Sequence, residues 1–143
     1  MATTATAAPT AQPLDPRFPK GRFRLAKAKD ADWQVGLRSH FAYRDLGIAT
    51  ATDGKVLAQV IRARRPCDGP GDEHTHSLDF QMVYVLNGWM RTSFEGVGER
   101  TLEAGDCMYQ EPGIRHRVLD YSPDLEVLEI TIPAEFETAT MAL

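Results

Sequence analysis

The sequence contains little cysteine and no long apolar run. Its two cysteines, Cys67 and Cys107, lie far apart and lack the paired spacing of a zinc motif or a redox dithiol, so we expect free thiols. No apolar stretch approaches the length that crosses a bilayer, and we therefore expect no membrane association. The first twenty residues lack the basic start and apolar region of a secretory signal, which predicts a cytoplasmic location.

Positive charge is also in short supply. Sixteen lysines and arginines against twenty aspartates and glutamates give a net charge of -4 at pH 7. Such a chain has no general electrostatic attraction for a phosphate backbone. We therefore expect no nucleic-acid partner.

A long stretch with helical periodicity is missing as well. Residues 1–20 are rich in Ala, Thr and Pro, which predicts a flexible N-terminal arm, and residues 21–143 have the size of one domain. That domain consists of short β-like runs separated by Gly, Pro, Asn and Asp, a pattern typical of an all-β sandwich or barrel. A short helix is predicted only in residues 134–143. The predicted strands are 41–50, 55–64, 73–77, 80–87, 89–94, 106–109, 115–120 and 125–132.

Three of the four histidines stand where they could share a metal ion. His74 and His76 are two residues apart, so on a strand both side chains project from the same face. His116 must arrive from a distant strand. A chain reversal at residues 77–79 would bring Gln81 onto the inward face beside them. The fourth histidine, His40, has no such support, and we interpret it as structural or exposed.

Two spacings in this region resemble the motifs of the cupin superfamily. The stretches that carry the resemblance are Gly69-(4)-His74-Thr75-His76-(4)-Gln81-(6)-Gly88 and Gly105-(5)-Glu111-Pro112-Gly113-(2)-His116. The resemblance implies a single antiparallel jelly-roll (cupin) barrel that holds one divalent metal ion through the three histidines. Gln81 stands where the family usually has a metal-binding glutamate. Three roles therefore stay open for it: a weak metal ligand, a partner of metal-bound water, or no part in the site.

The same resemblance points to three-histidine cupin dioxygenases. The implied cofactor is a divalent transition metal, with iron first and nickel, copper, manganese or zinc as alternatives. Three neutral imidazoles leave coordination positions for a small chelating organic substrate, and this leads to the hypothesis of a metal-dependent oxygenase. Gln81 would position water, dioxygen or substrate.

Two other hypotheses remain open at this point. A cupin lyase or isomerase would use the metal as a Lewis acid and need a nearby base, for which the visible candidates are Tyr84, Tyr109 and Glu111. The alternative to both is a non-catalytic barrel that binds a small ligand or a metal. A homodimer is also expected, since the Ala- and Pro-rich arm and exposed strand edges provide a route to pairing.

Overall fold

The computed structural model of the chain describes residues 15, 17, 20–35 and 40–141. The predicted flexible arm, residues 1–20, lies almost entirely outside the described residues. Within them, the chain forms eleven strands, one short α-helix and one 3-10 turn. The elements are β1 (Trp33–Val35), β2 (Phe41–Asp45), α1 (Ile48–Ala51), β3 (Leu57–Ala63), β4 (His74–Ser77), β5 (Phe80–Asn87), β6 (Trp89–Phe94), β7 (Gly98–Glu103), β8 (Cys107–Tyr109), β9 (His116–Tyr121), β10 (Glu126–Ile132) and β11 (Glu137–Thr140).

The strands form two antiparallel sheets. One sheet has the order β1-β2-β3-β10-β5-β8, and the other has the order β11-β4-β9-β6-β7. Successive strands β4, β5 and β6 alternate between the two sheets, as do β7, β8, β9, β10 and β11. This alternation is the jelly-roll arrangement, in which two sheets face each other across one interior. The predicted all-β jelly-roll fold is therefore confirmed.

The sequence did not predict β1 and β7, and two further segments adopt a structure other than the predicted one. Residues 48–50, predicted as strand, belong to α1, which follows Gly47 in the left-handed conformation (φ 78°). Residues 137–140, inside the stretch predicted as helix, form β11 instead, so that prediction is wrong. Thr138 and Thr140 are β-branched and favour a strand, and β11 gains a full set of partners along β4.

The hydrophobic core lies between the two sheets. Its buried cluster takes residues from β5, β6, β7, β9 and β10, and the fully buried Val85 belongs to it. The cluster consists of Val83, Val85, Met90, Leu102, Tyr121, Leu125 and Val127. Both cysteines are free thiols. Among the described residues, no helix has the length and apolar character needed to span a membrane.

Candidate metal centre

The three predicted histidines meet inside the fold. His74 on β4 lies directly opposite His116, the first residue of β9, and His76 follows two positions later on the same face of β4. One nitrogen from each ring lies within 4.8 Å of the other two. His74 and His116 are buried and His76 is half-buried. The structure thus brings together the predicted histidines, while metal binding itself stays a prediction.

Backbone carbonyls fix the ring orientation of two of these histidines. His74 Nδ1 lies 2.8 Å from the carbonyl oxygen of Asp72, and His116 Nδ1 lies 2.9 Å from that of Ile114. A carbonyl oxygen only accepts hydrogen bonds, so each Nδ1 must carry the proton and donate it. The ring lone pair is then on Nε2, as a metal ligand requires.

His76 is oriented by a side chain instead of the backbone. Its Nδ1 lies 2.8 Å from Oγ1 of Thr138 on β11. When Nδ1 donates to this hydroxyl, Nε2 carries the lone pair in His76 too. Three neutral imidazoles with anchored Nδ1 atoms match the donor set that divalent transition metals prefer, so these residues fit such an ion.

Gln81 lies in the same cavity and is connected to the histidines through Gln110. Both glutamines are buried. Gln110 Nε2 donates to Gln81 Oε1 at 3.2 Å and lies 3.1 Å from both ring nitrogens of His116. The sequence predicted Gln81 at the site, but it gave no reason to select Gln110, which follows β8 and reaches the cluster only through the fold.

Glu129 on β10 adds a carboxylate that sequence reasoning missed. Its Oε1 accepts a hydrogen bond from Gln59 Nε2 at 3.0 Å, and its Oε2 accepts one from Gln81 Nε2 at 3.1 Å. Burial raises the pKa of Glu129 above the ordinary glutamate value, while the two amide donors act in the opposite direction. A signal was present in the sequence, because Val127, Glu129 and Thr131 alternate along β10 and so share its inward face.

A cavity of about 600 Å³ surrounds these groups. Most of its walls are apolar, with Phe41, Ile61 and Phe136 among the contributors, and the polar part of the lining includes the three histidines, Gln59, Gln81, Gln110 and Glu129. Thr92, which also lines the cavity, is buried, and its hydroxyl has no hydrogen-bond partner within the described part of the chain. The cavity can therefore hold a small organic molecule against both apolar and hydrogen-bonding surfaces.

The other predicted site residues lie elsewhere. Tyr84 and Tyr109 occupy the outer face of their sheet and are exposed, and Glu111 is exposed in the turn before β9. None of the three lines the histidine cavity. His40 lies outside the cluster, with its Nε2 3.0 Å from Oδ2 of Asp68. Hydrogen bonding to His40 lowers the pKa of Asp68.

Comparison with known proteins identifies the same domain that the motifs indicated. Residues 66–131 match the family described as "Cupin domain". No curated protein matches the sequence. The matched residues contain all three histidines, Gln81, Gln110 and Glu129.

Solved structures with similar folds have different chemistries. The polyketide cyclase RemF from Streptomyces resistomycificus superimposes with a TM-score of 0.69 at 14% identity, covering 85% of this chain and 87% of RemF. A sugar phosphate isomerase from Silicibacter pomeroyi superimposes with a TM-score of 0.66 at 14% identity, covering 82% of this chain and 81% of the isomerase. A salicylate 1,2-dioxygenase from Pseudaminobacter salicylatoxidans gives 0.59 at 10% identity, covering 75% of this chain and 32% of the enzyme. At these identities the likeness establishes a shared fold.

Proposed function

This chain belongs to the cupin superfamily, and from that premise we propose that it is a metal-dependent oxygenase acting on a small chelating organic substrate. The observation that carries the proposal is the histidine cluster, whose nitrogens lie within 4.8 Å of one another. Anchored Nδ1 atoms at all three rings orient the Nε2 atoms for a shared ligand. A dioxygenase is among the proteins that share this fold, but the reaction class is proposed from the site and not from the fold.

His74, His76 and His116 would hold the ion through Nε2. A bound divalent metal would supply Lewis acidity and, for iron, copper, nickel or manganese, redox chemistry with dioxygen. The three histidines are neutral ligands, so the charge of the ion favours an anionic chelating substrate. The metal is proposed as iron first, with nickel, copper, manganese or zinc as alternatives.

The remaining residues of the cavity orient the substrate and limit access of water. Apolar side chains such as Phe41, Ile61 and Phe136 would cover the body of the substrate. Thr92 contributes a buried hydroxyl, which a polar group of the substrate could pair with. Exclusion of water around the reacting groups strengthens each electrostatic contact between the chain and the substrate.

A second candidate is a lyase or isomerase that uses the same metal as a Lewis acid. The specific observation in its favour is Glu129, because such a reaction needs a proton acceptor and the carboxylate lies inside the cavity. Tyr84, Tyr109 and Glu111, the earlier candidates for this base, lie outside the cavity. Glu129 would accept a proton at a carboxylate oxygen and return it to another atom of the substrate.

Oxygen dependence separates the candidate functions. Protein reconstituted with Fe(II) would be given a panel of hydroxy-ketones, β-dicarbonyls and catechols, with O2 uptake and product formed both recorded. The oxygenase proposal predicts stoichiometric O2 uptake that is lost in His116→Ala and kept in His40→Ala, a matched histidine outside the cluster. Turnover without O2 would instead support the lyase or isomerase, and tight binding of a compound without any product would support a binding protein.

A further inference from the structure

We propose that Glu129 is a positioning residue of the metal site, one that fixes the amide of Gln81 with its oxygen directed toward the histidine cluster. Gln81 can then contribute Oε1 as a fourth ligand. The inference rests on the proposed metal site and adds to it the residue that fixes the orientation of the Gln81 amide.

The strand register brings the two residues together. On β10, Glu129 lies opposite Val83 of β5 on one side and opposite Gln59 of β3 on the other. Gln81 precedes Val83 by two positions and therefore projects from the same inward face of β5. Gln81 and Glu129 are thus diagonal neighbours across two adjacent strands, within reach of a direct side-chain contact.

The chemistry of a carboxylate determines which end of the amide faces it. Both oxygens of Glu129 act as acceptors of amide N–H groups, so the end of the Gln81 amide that faces Glu129 is its NH2 group. The observed contact, Gln81 Nε2 to Glu129 Oε2 at 3.1 Å, has this direction. Oε1 of Gln81 consequently points to the other side, where Gln110 donates to it at 3.2 Å next to His116.

Glu129 is itself held in place. Gln59 Nε2 donates to its second oxygen at 3.0 Å, so the carboxylate has one amide donor on each oxygen. With both oxygens engaged, rotation of the carboxylate would break at least one hydrogen bond. Gln59 therefore fixes the orientation of the Glu129 carboxylate, and Glu129 in turn fixes that of the Gln81 amide.

Titration with Co(II), followed by visible absorption, tests this assignment because band intensity and position report the ligands of the ion. The variants are Gln81→Leu, Glu129→Leu, the double variant and Glu129→Gln, which keeps an acceptor. Glu126→Leu is the matched control, since it removes a glutamate from the same strand but on the opposite face. We expect Gln81→Leu and Glu129→Leu each to weaken Co(II) binding about tenfold and to show the same altered spectrum.

Two further comparisons identify a positioning role. The double variant should bind Co(II) with about the same affinity as whichever single variant binds it less tightly, because both substitutions remove the same interaction between Gln81 and the ion. Glu129→Gln should recover part of the affinity, and Glu126→Leu should match the wild-type protein. The positioning role would be overturned, with the proposed metal site left intact, by either of two results. One is a wild-type affinity and spectrum in Glu129→Leu, and the other is a fold-loss of Co(II) affinity in the double variant that equals the product of the two single losses. A wild-type protein that does not bind Co(II) would overturn the proposed metal site as well.

Discussion

The hydrogen bond between His76 and Thr138 provides a quantitative test of how the site is oriented. Thr138→Val preserves the shape of the side chain and removes the hydroxyl that lies 2.8 Å from His76 Nδ1. Loss of such a partner weakens metal binding roughly 10- to 100-fold, and we expect about tenfold because Thr138 is exposed. A tenfold change corresponds to about 1.4 kcal/mol of metal-binding free energy.

The effect can be measured as metal-dependent stability. At a free metal concentration about 100 times the wild-type Kd, metal should stabilise the wild-type protein by about 2.7 kcal/mol and Thr138→Val by about 1.4 kcal/mol. For a chain of this length we therefore expect the metal-induced rise in Tm to be roughly 5 °C smaller in the variant. Thr140→Val, on the same strand, is the control. A wild-type response to metal in Thr138→Val, or an equal loss of metal-induced stabilisation in both variants, would refute a role of the Thr138 hydroxyl in orienting His76.

Three other substitutions test individual interactions elsewhere in the fold. Thr131 is fully buried and its hydroxyl has no partner in the described part of the chain, so Thr131→Val should raise the free energy of urea unfolding by about 1 kcal/mol; a decrease would contradict this. Tyr121→Phe removes a hydrogen bond to the Arg65 carbonyl and should lower that free energy by about 1 kcal/mol at pH 7. Because burial raises the pKa of Tyr121, the folded state binds the phenolic proton more tightly than the unfolded state does. Above about pH 10 the wild-type protein should therefore lose stability, and the difference in free energy of unfolding between wild type and Tyr121→Phe should become smaller. A difference that does not change with pH would refute the raised pKa of Tyr121. Gly88 has φ +71°, and an added Cβ would collide with Ser122 Oγ. Gly88→Ala should therefore lower the free energy of unfolding by about 2 kcal/mol, and a neutral effect would be inconsistent with this turn.

The sequence was sufficient for the architecture because its strands are marked locally. Regular turn residues bound β5 and β6, and alternation of apolar residues defines their inward faces. It was insufficient for β7, where only Leu102 is buried and the other residues are exposed and polar or small. Such an edge strand is defined by its pairing with β6, which no local pattern reveals.

The candidate site also contains residues that the sequence predicted and residues that it missed. His74 and His76 were predictable from their spacing on one strand, and His116 from the motif that precedes it. Gln110 and Glu129 were missed, since their roles depend on contacts between residues far apart in sequence: Gln81 and Glu129 are 48 positions apart. The alternation along β10 indicated an inward glutamate, but only the strand register shows that it meets Gln81.

Metal content of the purified protein tests the central claim most directly. Protein made without a metal-binding tag would be loaded with Fe(II), desalted and measured by elemental mass spectrometry, together with His74→Ala, His116→Ala and the control His40→Ala. We predict about one equivalent of metal in wild type and His40→Ala and a loss of most of it in the two cluster variants. Absence of stoichiometric metal in wild type after loading, or its retention in both cluster variants, would contradict a three-histidine metal site.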